Sequence, residues 1–430
     1  VIPAETTPTV FVMESFARAA LPLIESLARA GIRVEVGCSK RINSGFFSRH
    51  CHKRHLYPSP RGDTLGFQKW LIEFLRERSI SVVFPVGHYG ALAACQIQNE
   101  IRRHSRLLMP DLQTFLRAYA KIPTMHTAQT ARVPIPETWF PSQVPGGLES
   151  ILPQIARWPV LVKPSVGVGA RGIVSCHTSA ELRKQYSDIT AAHGVSFVQD
   201  FVPPGGMQYK VDVLCDQQQK VVAGIVYGKT RMYPPDGGSS VLNFSAHRPN
   251  ILELAVRMLR ELRWVGFCDF DFVVDPRDNV PKLMEINPRP PESFHMGPSV
   301  GMNFPLLMYR LAIGEPVEPV LSYPANRFLR FMAGDLMWFL RVSNQQRFNT
   351  WPSWFHFVGR NKAYQLFRAT DWGPAVGYTL ETVLGVLDRQ TRRERLRLRQ
   401  GAFPEALTPE GPRPGCTGGT ASEKQFPDKL

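Results

Sequence analysis

The sequence is short of long apolar runs. No stretch of about 18 consecutive apolar residues occurs, so no membrane-spanning helix is expected. Val1 to Val12 lacks a basic segment followed by an apolar one, so no secretion signal is expected there. Cysteine is sparse: Cys38, Cys51, Cys95, Cys176, Cys215, Cys268 and Cys416 are odd in number, widely spaced and form no CxxC. That suits free thiols in a reducing cytoplasm better than a disulfide framework or a zinc site. No glycine fingerprint follows the first apolar run, so dinucleotide binding is not inferred there. Internal repeats and a Ser-His-Asp or Cys-His nucleophile set are missing as well.

What is abundant is positive charge, with 51 Lys and Arg against 36 Asp and Glu and a net +15. Such an excess invites a nucleic acid or an anionic membrane as partner, depending on where it sits. Residues 1–110 carry 15 basic and 8 acidic side chains, residues 111–324 carry 20 and 19, and residues 325–430 carry 16 and 9. The middle is nearly neutral and the surplus lies in the flanks. It bears on solubility, an acidic partner or membrane proximity more than on chemistry.

Residues 1–110 alternate strand and helix patterns: Val10–Met13, Phe16–Ala30, Arg33–Val36, Thr64–Arg78, Val82–Val86, Ala91–Arg103 and Leu107–Met109. This predicts a parallel sheet flanked by helices. Residues 111–324 mix hairpins with helices, which predicts an α+β unit with antiparallel sheets. Residues 325–400 place Phe328, Phe331, Met332, Leu336, Phe339 and Leu340 at helical spacing and end in an arginine-rich stretch. They read as a mostly helical extension. Residues 401–430, rich in Pro, Gly, Ser and Thr, read as a disordered tail.

Gly167-Val-Gly-Ala-Arg-Gly172 fits GxGxxG, but strand patterns lie on both sides of it. It is therefore a flap between strands, either a phosphate-covering loop with Lys163 just upstream or an ordinary flexible hairpin. Gly224-Ile-Val-Tyr-Gly-Lys-Thr230 falls one residue short of a Walker A loop and lies within a strand pattern. Lys229 and Arg231 still stand where a strand end reaches a phosphate.

The richest stretch is Gly266 to Arg289. Asp269 and Asp271 share one strand face, as do Glu285 and Asn287, and Asp275 to Asn279 is a turn sequence. A turn centred near Asp278 sets Asp271 opposite Glu285. Carboxylates facing each other need a cation between them, and an all-oxygen set favours Mg²⁺ or Mn²⁺ over zinc. Phe270, Phe272, Met284 and Ile286 bury the other face, so the acids point into an enclosed space; surface acids on an exposed hairpin are the alternative. Arg289 suits a phosphoryl or carboxylate group.

In order along residues 1–320, these residues resemble the ATP-grasp superfamily, in its carboxylate–amine ligase and carbamoyl-phosphate-synthase-like branch. The resemblance rests on Tyr119-Ala-Lys121 before Ala131 to Thr138, Pro159 to Pro164 with the glycine loop, Val198 to Val202, and Pro281 to Arg289. It implies an α/β plus α+β protein. A Rossmann-like domain (1–110) would precede an ATP-grasp domain of two α+β subdomains (111–324), then the helical extension (325–400) and the tail (401–430). It further implies ATP held by Lys121, Lys163 and the flap glycines Gly167, Gly169 and Gly172. Asp200, Phe201 and Val202 would line the adenine pocket, with Gln208 on the ribose. Two Mg²⁺ ions would be held by Asp271, Glu285 and Asn287, and Arg289, with Arg231, would stabilise the transferred phosphoryl group. Gly237 to Ser240 resembles a loop that folds over the site. Asp200 replaces the usual hinge Glu, and Gln208 replaces a Glu common in relatives.

The expected reaction is phosphoryl transfer from ATP to a small-molecule carboxylate. An amine then attacks the acyl phosphate, with release of ADP and phosphate. Glu292, Ser293 and His295 are candidate substrate contacts. The alternatives are carboxylation or carbamoylation through carboxyphosphate, with bicarbonate as acceptor, a basic non-catalytic binding protein, and a degenerate scaffold. A homodimer is compatible with this reading. The His50-Cys-His52 and His55 group is read as a surface loop, and the tryptophans 338, 351, 354 and 372 as packing of the extension, with contact to membrane headgroups as the alternative.

Overall fold

The computed structural model describes residues 7–167, 172–235, 238–368 and 370–387. The first unit is a parallel sheet of β1 (Thr9–Val12), β2 (Arg33–Cys38), β3 (Lys53–Leu56) and β4 (Val82–Phe84), in the order β3-β2-β1-β4. Its centre is buried on both faces. Phe11 faces a cluster with Phe67, Leu71 and Phe74, while Val10 and Val12 face Leu23 and Ile24. That is the period of two expected of a strand covered by helices on either side.

Two local expectations fail here. The helix predicted over Ala91–Arg103 breaks into His88–Gln96 and Gln98–Arg102. The Gln98 amide donates to Cys95 O at 3.1 Å, occupying a carbonyl at the break. Leu107–Met109 forms no strand; the pairing with β4 is a single bridge between Val82 and Arg106.

The second unit is a small antiparallel sheet of β5 (Thr138–Trp139), β6 (Val160–Pro164), β7 (Val174–Cys176) and β8 (Ser196–Asp200), ordered β5-β8-β6-β7. Helix Ser179–His193 covers it through Leu182 and Ile189, which join the Trp139, Val160, Val162 and Val198 core.

The third is a seven-stranded sheet of β9 (Gln208–Cys215), β10 (Val221–Tyr233), β11 (Ser239–Ser245), β12 (Gly266–Asp275), β13 (Val280–Asn287), β14 (Phe328–Arg330) and β15 (Lys362–Tyr364). Its order is β13-β12-β9-β10-β11-β14-β15. The segment after residue 324 therefore does more than add helices. Phe328 to Arg330 pair antiparallel with β11, and β15 pairs parallel with β14. These short strands cover a sheet edge that would otherwise expose unpaired backbone groups. Helices Met332–Arg341, Asn344–Phe348 and Gly373–Leu387 complete this segment among the described residues. The arginine-rich stretch over residues 391–400 and the tail over 401–430 lie outside the described residues. Among the described residues no helix is long and apolar enough to cross a membrane.

Candidate active site

The site is built on the β12–β13 hairpin. Asn279 takes the left-handed conformation (φ 58°), which Asn tolerates, and the Asp278 carboxylate accepts from Val280 N at 3.0 Å. The turn pairs Asp275 with Val280 and Phe272 with Leu283. A bulge between the Phe272 and Asp271 pairings then skips Met284 and sets Asp271 opposite Glu285 and Asp269 opposite Asn287. This is the facing pair expected from the sequence but reached through the bulge, so that Leu283 rather than Met284 is buried. On the other side of β12, β9 places Lys210 opposite Asp271 and Asp212 opposite Asp269. Phe270, Phe272 and Ile286 are buried in the core.

Two ammonium groups stand among these acids. Lys210 Nζ lies 2.7 Å from Asp269 Oδ2 and 2.8 Å from Asp271 Oδ2, and Lys229 Nζ, from β10, lies 2.5 Å from Asp271 Oδ1. Asn287 Nδ2 donates to Asp269 Oδ2 at 3.0 Å. Burial alone would raise the Asp271 carboxyl; Lys210 and Lys229 override it and hold the group well below the usual carboxylate range. Asp269, fully buried and opposed mainly by Lys210, is pushed up to about 6. Burial first, and then the Asp269 charge, push the Asp212 carboxyl well above the usual carboxylate range. That carboxyl accepts from Tyr227 at 3.2 Å, and Tyr227 in turn meets Ser293 at 2.8 Å.

The second unit brings two more cations. Lys163 on β6 is 5% exposed, and its ammonium donates to Gln199 Oε1 at 2.6 Å. Burial, reinforced by Lys121, lowers its pKa to about 8. Lys121, at the start of helix Lys121–Thr130, bonds Gly167 O at 3.1 Å and lies 3.6 Å from Glu285 Oε2. The flap thus meets the acidic hairpin through one lysine. Gly172 has φ 73°, and a Cβ there would come within 3.0 Å of the His193 ring, so the position needs glycine. Gly169 and Gly237 lie outside the described residues.

Asp200 ends β8, and its carboxylate takes Arg277 at 2.8 Å and Arg157 at 3.5 Å; Phe201 and Val202 follow, half-buried. Gln208 opens β9 opposite Lys229. Arg289 donates to Pro290 O at 3.1 Å and reaches Asn287 Oδ1 at 3.5 Å, and its Nε has no hydrogen-bond partner among the described residues. The first unit closes on this end. His88 stacks on Tyr119 at 4.2 Å, and burial first, then Arg289 and Lys121, keep it well below the ordinary histidine range. Glu14 (φ 53°) accepts from Gly87 N at 2.5 Å and Gly90 N at 3.0 Å, anchoring the start of helix His88–Gln96. In the segment after Arg289, Glu292 pairs with Arg18 at 3.0 Å and His295 contacts Arg368 of the extension.

Arg231 is the correction. The structure does not bring it to the hairpin. Its Nε lies 2.7 Å from Asp335 Oδ1, its Nη1 donates to Pro352 O at 2.8 Å, and its guanidinium stands over Trp338. The sequence reading set it with Lys229 at a strand end within reach of a phosphate, but register irregularities in the β10–β11 pairing fall on both sides of Arg231. Such a bulge re-aims a side chain. Conversely, Lys210 and Asp212 escaped the sequence reading. The signal was there, because Gln208, Lys210 and Asp212 alternate at a period of two on β9.

Comparisons with known proteins agree with this geometry. Residues 203–329 match the family described as ATP-grasp in the biosynthetic pathway with Ter operon. The arginine-specific carbamoyl phosphate synthase large chain of Lactiplantibacillus plantarum is 26% identical over 179 residues, 39% of this chain and 17% of that one. The chain thus spans about a sixth of the length of that curated relative. Biotin carboxylase of Campylobacter jejuni, solved as its beta-gamma-ATP complex, superposes with a TM-score of 0.63 at 14% identity, over 75% of this chain and 74% of that one. The N5-carboxyaminoimidazole synthetase of Staphylococcus aureus complexed with ADP gives 0.59 at 12% identity, over 76% and 82%. The L-amino acid ligase of Bacillus licheniformis gives 0.54 at 15%, over 73% and 76%. At such identities the solved structures speak for the fold, and the matched segment carries the acidic hairpin. Residues 203–329 thus match an ATP-grasp family, and the described chain shares the fold of these solved structures.

Proposed function

We propose that the protein is an ATP-dependent, ADP-forming ligase that activates a substrate carboxylate as an acyl phosphate and couples it to an amine. The observation that carries the reading is the meeting of Lys121, which also bonds Gly167 O at the base of the flap, with Glu285 of the acidic hairpin at 3.6 Å. In this reading Lys163 and Lys121 bind the phosphates, and Asp200, Phe201, Val202 and Gln208 border the adenosine. Arg289 stabilises charge on the transferred group, and its uncommitted Nε suits that role. Enclosure by the segment Pro290 to Met296 and by His88 and Tyr119 would shield the acyl phosphate from water.

The donor set fits Mg²⁺, with Mn²⁺ as the alternative. Glu285 and Asn287 offer oxygens, and Asp271 offers one once Lys229 or Lys210 turns to a phosphate. Among the described residues no three His, Cys, Asp or Glu side chains form a metal cage by themselves. This is how Mg²⁺ is usually held, by one or two carboxylates plus substrate phosphates. When bound, it would neutralise charge between the phosphates.

The test is ADP release with Mg²⁺-ATP over paired amino acids, amines and small carboxylates, with mass detection of the product. AMP as product would overturn the acyl-phosphate route. Bicarbonate-dependent ADP release without an organic acid would move the reading to carboxyphosphate chemistry, which the carboxylase-like fold neighbours keep in view.

Lys163 supplies a pH signature. Its folded pKa of about 8 lies below the ordinary 10.5. Between those values the unfolded chain binds the extra proton, so this group makes nucleotide-free stability rise with pH across that window. Phosphate binding wants the ammonium, so ATP affinity is expected to fall as pH climbs through about 8. Calorimetric titration of ATP at pH values on either side checks this. Lys163→Met should bind weakly with no such slope, and a slope that survives the substitution assigns the titration elsewhere.

A further inference from the structure

Helix Gly373–Leu387 is inverted for a surface helix. Its one charged side chain, Glu381, is held against the body of the protein, 2.5 Å from Lys40 Nζ and 18% exposed. Its glycines seat it there: a Cβ on Gly373 would meet Phe47 O and one on Gly377 would meet Asn43 O. The face left to solvent is mainly apolar, with Thr379 and Thr382 exposed beside it. Val376, Leu380, Val383, Leu384 and Leu387 recur at helical spacing and are 40–68% exposed, and Trp372, one turn before Val376, is 60% exposed. A contiguous exposed apolar stripe of this kind marks an interaction surface.

Charge selects the partner. In the sequence, residues 388–399 carry Arg389, Arg392, Arg393, Arg395, Arg397 and Arg399 against Asp388 and Glu394, a balance of +4. Two copies joined in parallel at the stripe would bring these net-positive segments together and repel. An anionic lipid surface reverses the sign: apolar side chains enter the headgroup boundary, tryptophan sits at that depth, and arginines meet phosphates. We propose that this face of the extension docks the protein peripherally on an anionic phospholipid bilayer, with helix Gly373–Leu387 lying along the surface.

The experiment is co-sedimentation of the full chain with vesicles of phosphatidylcholine alone or with phosphatidylglycerol added. Binding is expected only to the anionic vesicles and should weaken with salt. Leu380→Asp/Leu384→Asp should weaken it by at least about tenfold. Arg392→Gln/Arg393→Gln/Arg395→Gln, which leaves the apolar stripe intact, should weaken it by about a hundredfold. No pelleting with anionic vesicles, or pelleting unchanged in both variants, overturns the proposal. So does a concentration-dependent dimer that the leucine variant converts to monomer, which would give the face to a second copy. ADP formation by these variants without vesicles should equal that of the parent protein, so failure here is separable from failure of the ligase reading.

Discussion

Glu285→Gln is expected to lower ADP formation by at least about a thousandfold while the fold survives, because the carboxylate proposed to hold Mg²⁺ becomes a neutral amide. The substitution is close to isosteric. The Glu285 side chain is 40% exposed, and its one ion pair, to Lys121, is 3.6 Å long, so little stability depends on it. Thermal melting should therefore move little, while kcat falls and the Mg²⁺ concentration needed for half-maximal rate rises. A fall in kcat with unchanged Mg²⁺ dependence would place Glu285 on substrate rather than on metal. ADP release equal to that of the parent protein would sink the assignment of this hairpin as the catalytic row. Asp271→Asn should behave differently. It leaves Lys210 and Lys229 without their shared carboxylate, so it should lower stability as well as rate.

The hairpin was legible in the sequence because three local signals agree on it: a turn at Asp275 to Asn279, acids at period two, and aromatics on the opposite phase. Lys121 and Lys163 were legible from the order of the motifs. What escaped was set by long-range pairing. Phe328 to Arg330 are too few to show a strand period, and the apolar residues after them run on at helical spacing, so the segment reads as helix until β11 offers its edge. Lys210 looks like an ordinary strand lysine; only the adjacent strand β12, remote in sequence, makes it the counter-ion of Asp269 and Asp271. Arg231 was misplaced because β10 is irregular there. The net +15 resolves in the same way. The site's lysines are matched by its acids, and the surplus lies with the flanks.

Asp335→Ala is expected to cost about 3–5 kcal/mol, the largest stability loss among these predictions, because it strands two buried guanidiniums. Asp335 is 0% exposed and is shared by Arg231 Nε at 2.7 Å and Arg330 Nε at 3.1 Å; Arg231 and Arg330 are 1% and 4% exposed. The triad is not thereby a large net source of stability. Burial raises the Asp335 carboxyl, and the two arginines only partly pull it back, so desolvation consumes much of the attraction. Its members are costly to lose singly and cheap to lose together. Asp335→Leu combined with Arg231→Met and Arg330→Met should therefore recover most of the loss in chemical denaturation, whereas Asp335→Ala alone should not. Arg231→Met supplies the functional half of the test. Assayed well below its melting temperature, it should keep ADP formation within a few-fold of the parent protein, because its guanidinium is spent on the joint between β10 and the extension. A thousandfold loss of kcat in a folded Arg231→Met protein would return Arg231 to the phosphoryl-transfer machinery and would require β10 to straighten when nucleotide binds.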